Sequence, residues 1–411
     1  MAIFRLITIF ILCFLTDIAK AQMTVSARIL DAETQQPVPM VSVGAFSDNT
    51  VLGSTISNAD GDFMVEADST GYITLSHISY QTNRVNIAEL GETILLQPKV
   101  IELTEIVVIP RSAIIRELTT VWEKYTKLLN KKKEKDFPVQ TFYYRQLTQN
   151  NDLNTEYLGC FFTAPTSVNI KTLTLQEGRF ARIKKDSLIQ MANFFAFSRI
   201  RPFSLETAKR KNAVNPFLVK DFEKYYDVRL SRIISPNSDD EVKVYQFIPY
   251  QENISENAFM LSGFLYVRTK DHSIVQLEAN SNNAAVRGFP NITSQQIHFT
   301  VTYREGVESY PIVESVKCEM EIEGLYQGQT YQFKAQSILF AADYSFQSKG
   351  NKMNRMDFLL KEVAKSKYNQ AFWDNNPIVK RTQIEQQVLD DFNQLGYFGN
   401  MSFELSGESS Q

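Results

Sequence analysis

Short stretches in which polar and apolar residues alternate fill the chain up to about residue 110. Thr24–Ile29 alternates strictly, which is the period of a half-buried strand. Tyr72–Ile78 and Glu92–Gln97 predict further strands, and the Asp60-Gly61 pair between two β-prone stretches predicts a hairpin. Many short strands separated by turn residues favour a β-sandwich over residues 22–110.

The spacing of apolar residues changes after Pro110. Ser112 is a suitable N-cap, and apolar residues then recur three and four positions apart from Ile114 to Leu129. This spacing predicts an amphipathic linker helix within residues 111–136. Its apolar stripe needs a partner surface, which we expect to be the sheet that follows.

Strand-like stretches return from Phe137 and continue to about residue 340. Ser262–Arg268 and Ile274–Glu278 predict a clear hairpin, and similar pairs follow it with little sequence between them. Consecutive hairpins favour one large, curved antiparallel sheet. Gln383–Leu395 has helical spacing, and we expect Trp373 to dock this helical tail onto the sheet. The predicted fold class is therefore mainly β with α, with an α+β domain over residues 137–411.

The first 21 residues have the pattern of a secretory signal peptide. Ile7–Leu15 is an apolar stretch that is too short to span a membrane, and Ala19-Lys20-Ala21 places small residues before a cleavage site. We expect export to the periplasm or to the periplasmic face of the outer membrane. A retained membrane anchor is the alternative interpretation.

Composition limits the classes of partner. Hydrophobic residues make up 44% of the chain and charged residues 22%, as in ordinary globular proteins. The formal net charge is −3, so no basic field exists to attract nucleic acid. Cys160 and Cys318 remain after removal of the signal peptide, and the sequence leaves open whether they form a disulfide or stay as two buried thiols.

Four segments of the first region carry a family resemblance: Gly53-Ser54-Thr55, Asn58–Phe63, Leu75–Tyr80 and Leu103–Val108. In this order they resemble the carboxypeptidase regulatory-like domain, a prealbumin-like β-sandwich that is common at the front of envelope proteins of Bacteroidetes-type bacteria. The resemblance covers residues 22–110. It implies a binding or spacer module and not a peptidase.

The search for catalytic patterns favours a function without catalysis. The sequence contains no Gly-x-Ser-x-Gly elbow and no glycine-rich phosphate loop. The histidines that follow the signal peptide are His77, His272 and His298, and no pair of them has zinc-ligand spacing. We therefore expect no catalytic residue, no metal and no cofactor.

One stretch near residue 200 combines several aromatic residues with two arginines, and it is the candidate ligand or partner surface. Its members are Phe194, Phe195, Phe197, Arg199, Arg201 and Phe203. Aromatic residues and arginine are enriched at protein interfaces and also line apolar ligand sites. The alternative is a segment that caps the core of the sheet.

Three functional hypotheses remain at this stage. The leading one is a non-enzymatic cell-envelope binding or assembly module, whose partner is an outer-membrane or periplasmic protein. The second is a periplasmic carrier or sensor of a lipid-like apolar ligand, which requires an apolar cavity inside the curved sheet. The third is an uncharacterised hydrolase, which requires a polar cleft with His272 or His298 beside a serine or cysteine.

Overall fold

The protein is mainly β with few helices in the computed structural model. The structure describes residues 22–103, 109–131, 137–165, 173–183, 194–195, 222–251, 261–282, 289–305, 311–343, 346, 350–353, 359, 362–363, 366–375, 381 and 383–398. The chain forms two units. Of the described residues, the first unit contains 22–77 and 82–97, and the second unit contains the others.

The strands of the described chain are β1 (Gln22–Asp31), β2 (Ser42–Ser47), β3 (Thr50–Ile56), β4 (Asp62–Asp68), β5 (Tyr72–His77), β6 (Tyr80–Asn86), β7 (Thr93–Leu96), β8 (Ile101–Leu103), β9 (Val139–Asn150), β10 (Leu153–Pro165), β11 (Leu173–Arg182), β12 (Tyr226–Ile234), β13 (Val242–Pro249), β14 (Ser262–Arg268), β15 (Ile274–Ser281), β16 (Ile292–Glu305), β17 (Pro311–Tyr326), β18 (Gln329–Ala342) and β19 (Asn351–Met353). The helices are α1 (Arg111–Lys131), α2 (Gln370–Asn375) and α3 (Gln383–Gln394).

Two sheets build the first unit, in the orders β4-β1-β7 and β3-β2-β5-β6. Alternate residues of β2, β4 and β5 are buried, so each sheet has one apolar face. Residues of β2 and β3 contact β4. The contact is close at Gly53, where a Cβ atom would lie 3.1 Å from the Glu66 carbonyl oxygen. The apolar faces of the two sheets therefore share one interior.

The Asp60-Gly61 turn is present, but the predicted hairpin is not. The side-chain oxygen of Asn58 accepts hydrogen bonds of 2.9 Å from the backbone amides of Asp60 and Asp62. Gly61 has a φ of 76°, which favours glycine. The turn connects β3 to β4, which belong to different sheets. The sequence signal therefore marked a chain reversal correctly and its strand pairing incorrectly.

One antiparallel sheet of 12 strands organises the second unit, in the order β19-β11-β10-β9-β18-β17-β16-β15-β14-β13-β12-β8. From β12 to β18, strands adjacent in sequence are adjacent in the sheet, and Ser262–Glu278 lies in the β14–β15 hairpin. β18 then pairs with β9, which leads to β10 and β11. We call the face that carries the main apolar core the core face, and the other side the opposite face.

Helix α1 lies in the core of the second unit. Its buried residues are spaced four, three and four positions apart: Ile114, Leu118, Val121 and Tyr125. The Tyr125 hydroxyl oxygen accepts a 2.9 Å hydrogen bond from the backbone amide of Ile274 at the start of β15. The helical stripe read from the sequence is therefore the surface that packs with the sheet.

Three local features differ from the expectations or settle an open point. β8 pairs with β12 of the second unit, so the first unit ends at Gln97 and not at Pro110. Glu177-Gly178, a pair that the sequence favours as a turn within Thr174–Ile183, lies beside an irregularity inside one continuous strand, β11. Cys160 and Cys318 are both buried and free, so they do not form a disulfide.

The C-terminal segment covers part of the opposite face. Trp373 lies with its ring centroid 5.6 Å from that of Phe161 and 6.5 Å from that of Tyr143. Residues of α3 form a second apolar cluster with β9, β10 and β11, which contains Leu147, Tyr157, Ala181, Val388, Leu389, Phe392 and Phe398. The tail therefore docks through Trp373, as the sequence predicts, and also through α3.

Candidate ligand-binding groove

Seven polar side chains and Leu147 form two parallel rows on the opposite face of β9, β18, β17 and β16. The strand register aligns the members of the first row, which are Gln149, Lys334, Glu321 and Gln296. It also aligns the members of the second row, which are Leu147, Gln336, Glu319 and His298. Neighbouring strands lie about 4.8 Å apart, and positions two residues apart on a strand are separated by about 6.8 Å. The strand geometry therefore creates a regular grid of hydrogen-bonding groups.

A groove of about 500 Å³ lies over this grid. Its lining comprises Leu147, Gln149, Gln296, His298, Glu319, Met320, Glu321, Lys334, Ala335 and Gln336. We call this cavity the polar groove. Its volume is within the range of small-molecule sites, but its lining is more polar than most of them.

His298 is held in one orientation within the groove. Its Nδ1 lies 2.7 Å from the side-chain oxygen of Asn280, to which the tautomer with the proton on Nδ1 donates a hydrogen bond. Its Nε2 lies 3.3 Å from the Thr300 hydroxyl group. With both ring nitrogens engaged, the imidazole serves better as a fixed wall of the groove than as a general base.

The charges of the groove are few and of both signs. Glu321 lies directly opposite Lys334 in the strand register. Glu319 forms a 2.8 Å ion pair with Lys317, and both side chains are about 40% exposed, at 43% and 40%. Exposed pairs of this kind contribute little to stability, so they remain available for exchange with a ligand. The groove therefore suits a polar, hydrogen-bonding ligand of low net charge.

Leu147 joins the groove to the docked tail. It lines the groove and also belongs to the apolar cluster that contains Val388 and Leu389 of α3. The tail helix therefore borders the groove on its β9 side.

Of these residues, the sequence singled out His298, as a candidate for the hydrolase hypothesis, and it gave no sign of the others. Glu319, Glu321 and Glu323 alternate with buried residues along β17, which is the signal of one solvated sheet face. The sequence does not show that β9 lies beside β18, and without this pairing the two rows are not recognisable.

The candidate surface predicted near residue 200 is corrected at two positions. Phe194 and Phe195 are 0% and 3% exposed and belong to the main core of the second unit. Phe195 contacts Tyr144 and Phe162 edge-on, with centroid distances of 4.7 and 5.8 Å. These two phenylalanines therefore pack in the core, which was the alternative interpretation, because the aromatic strands β9 and β10 offer them an apolar surface. Phe197, Arg199, Arg201 and Phe203 lie outside the described residues.

The core face is occupied by the protein's own side chains over the described part of the second unit. Its largest fully buried members are Tyr125, Tyr144, Tyr226, Tyr245, Phe142, Phe162, Phe194, Phe222 and Phe247. A carrier of a lipid-like ligand needs an open apolar cavity on this face. The described side chains pack on one another on this face, and the carrier hypothesis stays an untested alternative.

Ser273 follows His272 in the turn between β14 and β15. Its hydroxyl group donates to the Asp271 carboxylate, and the Lys124 ammonium group donates to the Ser273 oxygen over 3.2 Å. Lys124 also donates to the Asp271 carbonyl oxygen over 2.6 Å. These bonds fasten the β14–β15 turn to α1. The carboxylate that accepts from the hydroxyl group is a much weaker base than an imidazole, so this cluster does not support the hydrolase hypothesis.

Over the described ranges, no group of three or more His, Cys, Asp or Glu residues is arranged to hold a metal ion. No helix in this part of the chain is both long and apolar enough to cross a membrane.

Comparisons with known proteins give little information about identity. No family model matches the chain, and no curated protein matches it. A crystal structure from Bacteroides fragilis NCTC 9343, whose protein is described as membrane-associated and of unknown function, is similar at 10% identity with a TM-score of 0.13. The match covers 80% of this chain and 100% of that chain. A TM-score this low supports no conclusion about fold or function.

Proposed function

We propose that the protein is a non-enzymatic binding or assembly module of the cell envelope, and that the polar groove is its binding surface. The observation that supports this most directly is the grid of aligned polar side chains beneath a cavity of about 500 Å³. An exposed sheet face that only contacts solvent needs polar side chains at alternate positions. A groove lined by converging amides and carboxylates is instead typical of a binding site.

Three further observations support a binding function. His298 has both ring nitrogens hydrogen-bonded, and the Ser273 hydroxyl group is committed to Asp271. Both cysteines are buried, and burial raises the pKa of each thiol, which disfavours the reactive thiolate. His298 and Ser273 are thus engaged in structural contacts, whereas Nδ1 of His272 is buried and has no hydrogen-bond partner among the described residues.

The location in the envelope rests on the signal-peptide pattern of residues 1–21. The proposed partner is an outer-membrane or periplasmic protein, or another polar component of the envelope.

We also propose that the first unit is a prealbumin-like β-sandwich of the carboxypeptidase regulatory-like type, followed by a linker helix. The two sheets with a shared apolar interior support this proposal, as does the order of sequence landmarks between residues 53 and 80. An experimental structure in which β1, β4 and β7 did not pack on β2, β3 and β5 would contradict it.

The groove is tested by photo-crosslinking in the cells that produce the protein. A photoreactive amino acid replaces Gln336 in the groove, and the matched control replaces Thr330, which lies on the same face of β18 outside the groove. We expect one defined cross-linked species from position 336 and none from position 330. We also expect Glu321→Lys to abolish it, because the substitution reverses a charge in the groove.

Equal cross-linking from both positions would contradict the proposal, as would a product that is insensitive to Glu321→Lys. The mass of the cross-linked product distinguishes a protein partner from a smaller envelope component.

A further inference from the structure

Four neighbouring side chains in the polar groove have no hydrogen-bond or ion-pair partner among the described residues. They are Gln296 on β16, Glu321 on β17, and Lys334 and Gln336 on β18. Glu321 and Lys334 lie directly opposite each other in the strand register, yet no ion pair joins them. All four side chains are exposed. They are therefore free to bind a molecule that enters the groove.

The other polar members of the groove already have partners. The side-chain amide of Gln149 donates to the side-chain oxygen of Asn154 over 2.7 Å. Glu319 is paired with Lys317, and both ring nitrogens of His298 lie within hydrogen-bond distance of neighbouring side chains. A ligand of the four free groups thus meets a border that is already in place on β9, β17 and β16.

The free groups differ in their capacity for hydrogen bonds. Lys334 only donates, Glu321 only accepts, and the amides of Gln296 and Gln336 do both. A ligand that satisfies all of them must present donors and acceptors next to one another. A hydroxyl group does so at a single position, since it carries one donor and two acceptor lone pairs. The groove therefore suits a ligand with several hydroxyl groups.

The arrangement of the free groups also indicates the shape of the ligand. Lys334, Glu321 and Gln296 follow one another in the first row, across three neighbouring strands. The whole row spans about 14 Å, because its four strands lie about 4.8 Å apart. The second row is only about 6.8 Å away. The footprint is thus longer than it is wide, which favours a short linear chain over a single compact molecule.

Other classes of ligand fit this lining less well. Glu319 and Glu321 outweigh Lys334, so the lining repels phosphate-rich polymers, which bind through clusters of basic residues. The described lining contains no aromatic residue, whereas apolar ligand sites and the centres of protein interfaces are rich in aromatic residues. The lining therefore favours a neutral chain with many hydroxyl groups.

We infer that the polar groove binds a neutral saccharide chain that lies across β16, β17 and β18. Each hydroxyl group of such a chain can donate to Glu321 or accept from Lys334, and the two free glutamine amides can take either role. This inference rests on the proposed binding function and narrows the ligand to a carbohydrate of the cell envelope.

Photo-crosslinking in the cells that produce the protein tests the class of the ligand. The photoreactive amino acid replaces Gln149, which lines the groove but is not one of the four free groups. After complete proteolysis, we expect the peptide around position 149 to carry an adduct of sugar units. Periodate, which cleaves vicinal diols, should break this adduct, and mass spectrometry would show the loss.

An adduct of amino acids would overturn the saccharide assignment while leaving the proposed binding function in place. The absence of any adduct at position 149, together with none at position 336, would contradict both.

The affinity for carbohydrate tests the role of the individual groups. The neutral polysaccharide fraction extracted from the same cells is immobilised, and its binding of the mature protein is measured. Since one hydrogen bond is worth about a factor of five in affinity, we expect Gln336→Ala and Glu321→Ala each to weaken binding by about fivefold or more. Glu321→Gln keeps an acceptor oxygen and should weaken binding less than Glu321→Ala does.

The matched control is Thr330→Ala, which lies on the same face of β18 outside the groove and should bind as the wild type does. The substituted positions are all exposed, so these variants should fold normally.

Salt separates a neutral ligand from a charged one. Raising the sodium chloride concentration from about 50 to about 500 mM screens charges, so the affinity for a neutral saccharide should change by less than about twofold. A loss of affinity of about tenfold or more over this range would indicate recognition of a charge and overturn the inference. Equal losses in Glu321→Gln and Glu321→Ala, or no binding to the polysaccharide fraction, would also overturn it.

Discussion

Replacing Trp373 with alanine tests whether the C-terminal segment is a structural part of the second unit. Trp373 is 3% exposed and packs against Phe161, Tyr143 and Arg179. If the tail is an integral layer, removing the indole should lower the free energy of unfolding of the whole unit. If the tail is only loosely attached, the sheet should unfold as before.

The magnitude follows from the area that the indole buries. An aromatic side chain of this size buries about 150–250 Å², which at about 25 cal/mol per Å² corresponds to about 4–6 kcal/mol. The unfolded chain already buries part of this area, which lowers the value by about 10–40%. Substitutions of buried aromatic residues with alanine cost about 3–5 kcal/mol. We therefore expect a loss of about 4 kcal/mol for Trp373→Ala.

The assay is denaturant-induced unfolding followed by circular dichroism and by the fluorescence of Trp122, which is the other of the 2 tryptophans. The matched control is Leu395→Ala in the same segment, which is 58% exposed and should change the free energy of unfolding by less than about 0.5 kcal/mol. A Trp373→Ala variant within about 1 kcal/mol of the wild type would refute the reasoning. The tail would then contribute nothing to the stability of the sheet.

The other predictions concern Gly263, Tyr125 and the two cysteines of the second unit, and one of them uses a control variant in the first unit. Gly263→Ala should prevent folding or lower the free energy of unfolding by more than about 3 kcal/mol, because its Cβ atom would collide with a backbone carbonyl oxygen of β15. The control is Gly91→Ala, whose Cβ atom would have no neighbour closer than 3.8 Å and which should be tolerated in the same unfolding assay. Tyr125→Phe should cost about 1–3 kcal/mol, because a buried backbone amide loses its acceptor. Burial raises the pKa of Tyr125 to about 12, above the value of about 10 in unfolded chains. The difference in free energy of unfolding between the wild type and Tyr125→Phe should therefore hold below pH ~10 and shrink as the pH rises towards 12, which unfolding curves across this range would measure. Cys160 and Cys318 should not react with a maleimide at pH 8 in the native protein but should both react in denaturant, because burial raises the pKa of both thiols; labelling of the native protein, counted by mass spectrometry, would contradict this.

The sequence predicts individual elements well where a local period decides them. Helix α1 has its apolar stripe at Ile114, Leu118 and Val121, and the β14–β15 hairpin has a short turn between two alternating stretches. In both cases, one face of a single element determines the structure. The docking role of Trp373 was also predictable, because a large aromatic residue near the end of a chain seldom stays exposed.

Pairing between distant strands was beyond the sequence. Asp60-Gly61 has the local chemistry of a hairpin turn, but β3 and β4 each find a better partner in a different sheet. β8 joins β12 across more than a hundred residues of chain, which moved the boundary of the first unit. The local preference of these residues for strand structure is the same whichever strand they pair with, so tertiary packing decides which pairing forms.

The same limit explains the candidate site. Phe194 and Phe195 attracted attention because aromatic clusters occur both on binding surfaces and in cores, and only burial distinguishes the two. The polar groove depends on the alignment of four strands, of which β9 and β18 are the most distant in sequence. Each strand alone has the alternation of polar and apolar residues that any sheet with one solvated face shows.

The pairing of β9 with β18 also has a consequence for the order of folding. Strands β12 to β18 pair with their neighbours in sequence, whereas β9 must find a strand from which β10 to β17 separate it. Closing so long a loop lowers the entropy of the chain before the contacts between β9 and β18 can compensate for this loss. We therefore expect the β14–β17 ladder to gain protection from hydrogen exchange before the amides that join β9 to β18 in a pulse-labelling experiment, and simultaneous protection would contradict this. β9, β10 and β11 can pair with one another as soon as they are synthesised, but β9 must wait for β18 before it joins the rest of the sheet. Until β18 is made, the edge of β9 that it will cover has no strand partner, and this edge is where a newly made chain is most open to pairing with another molecule.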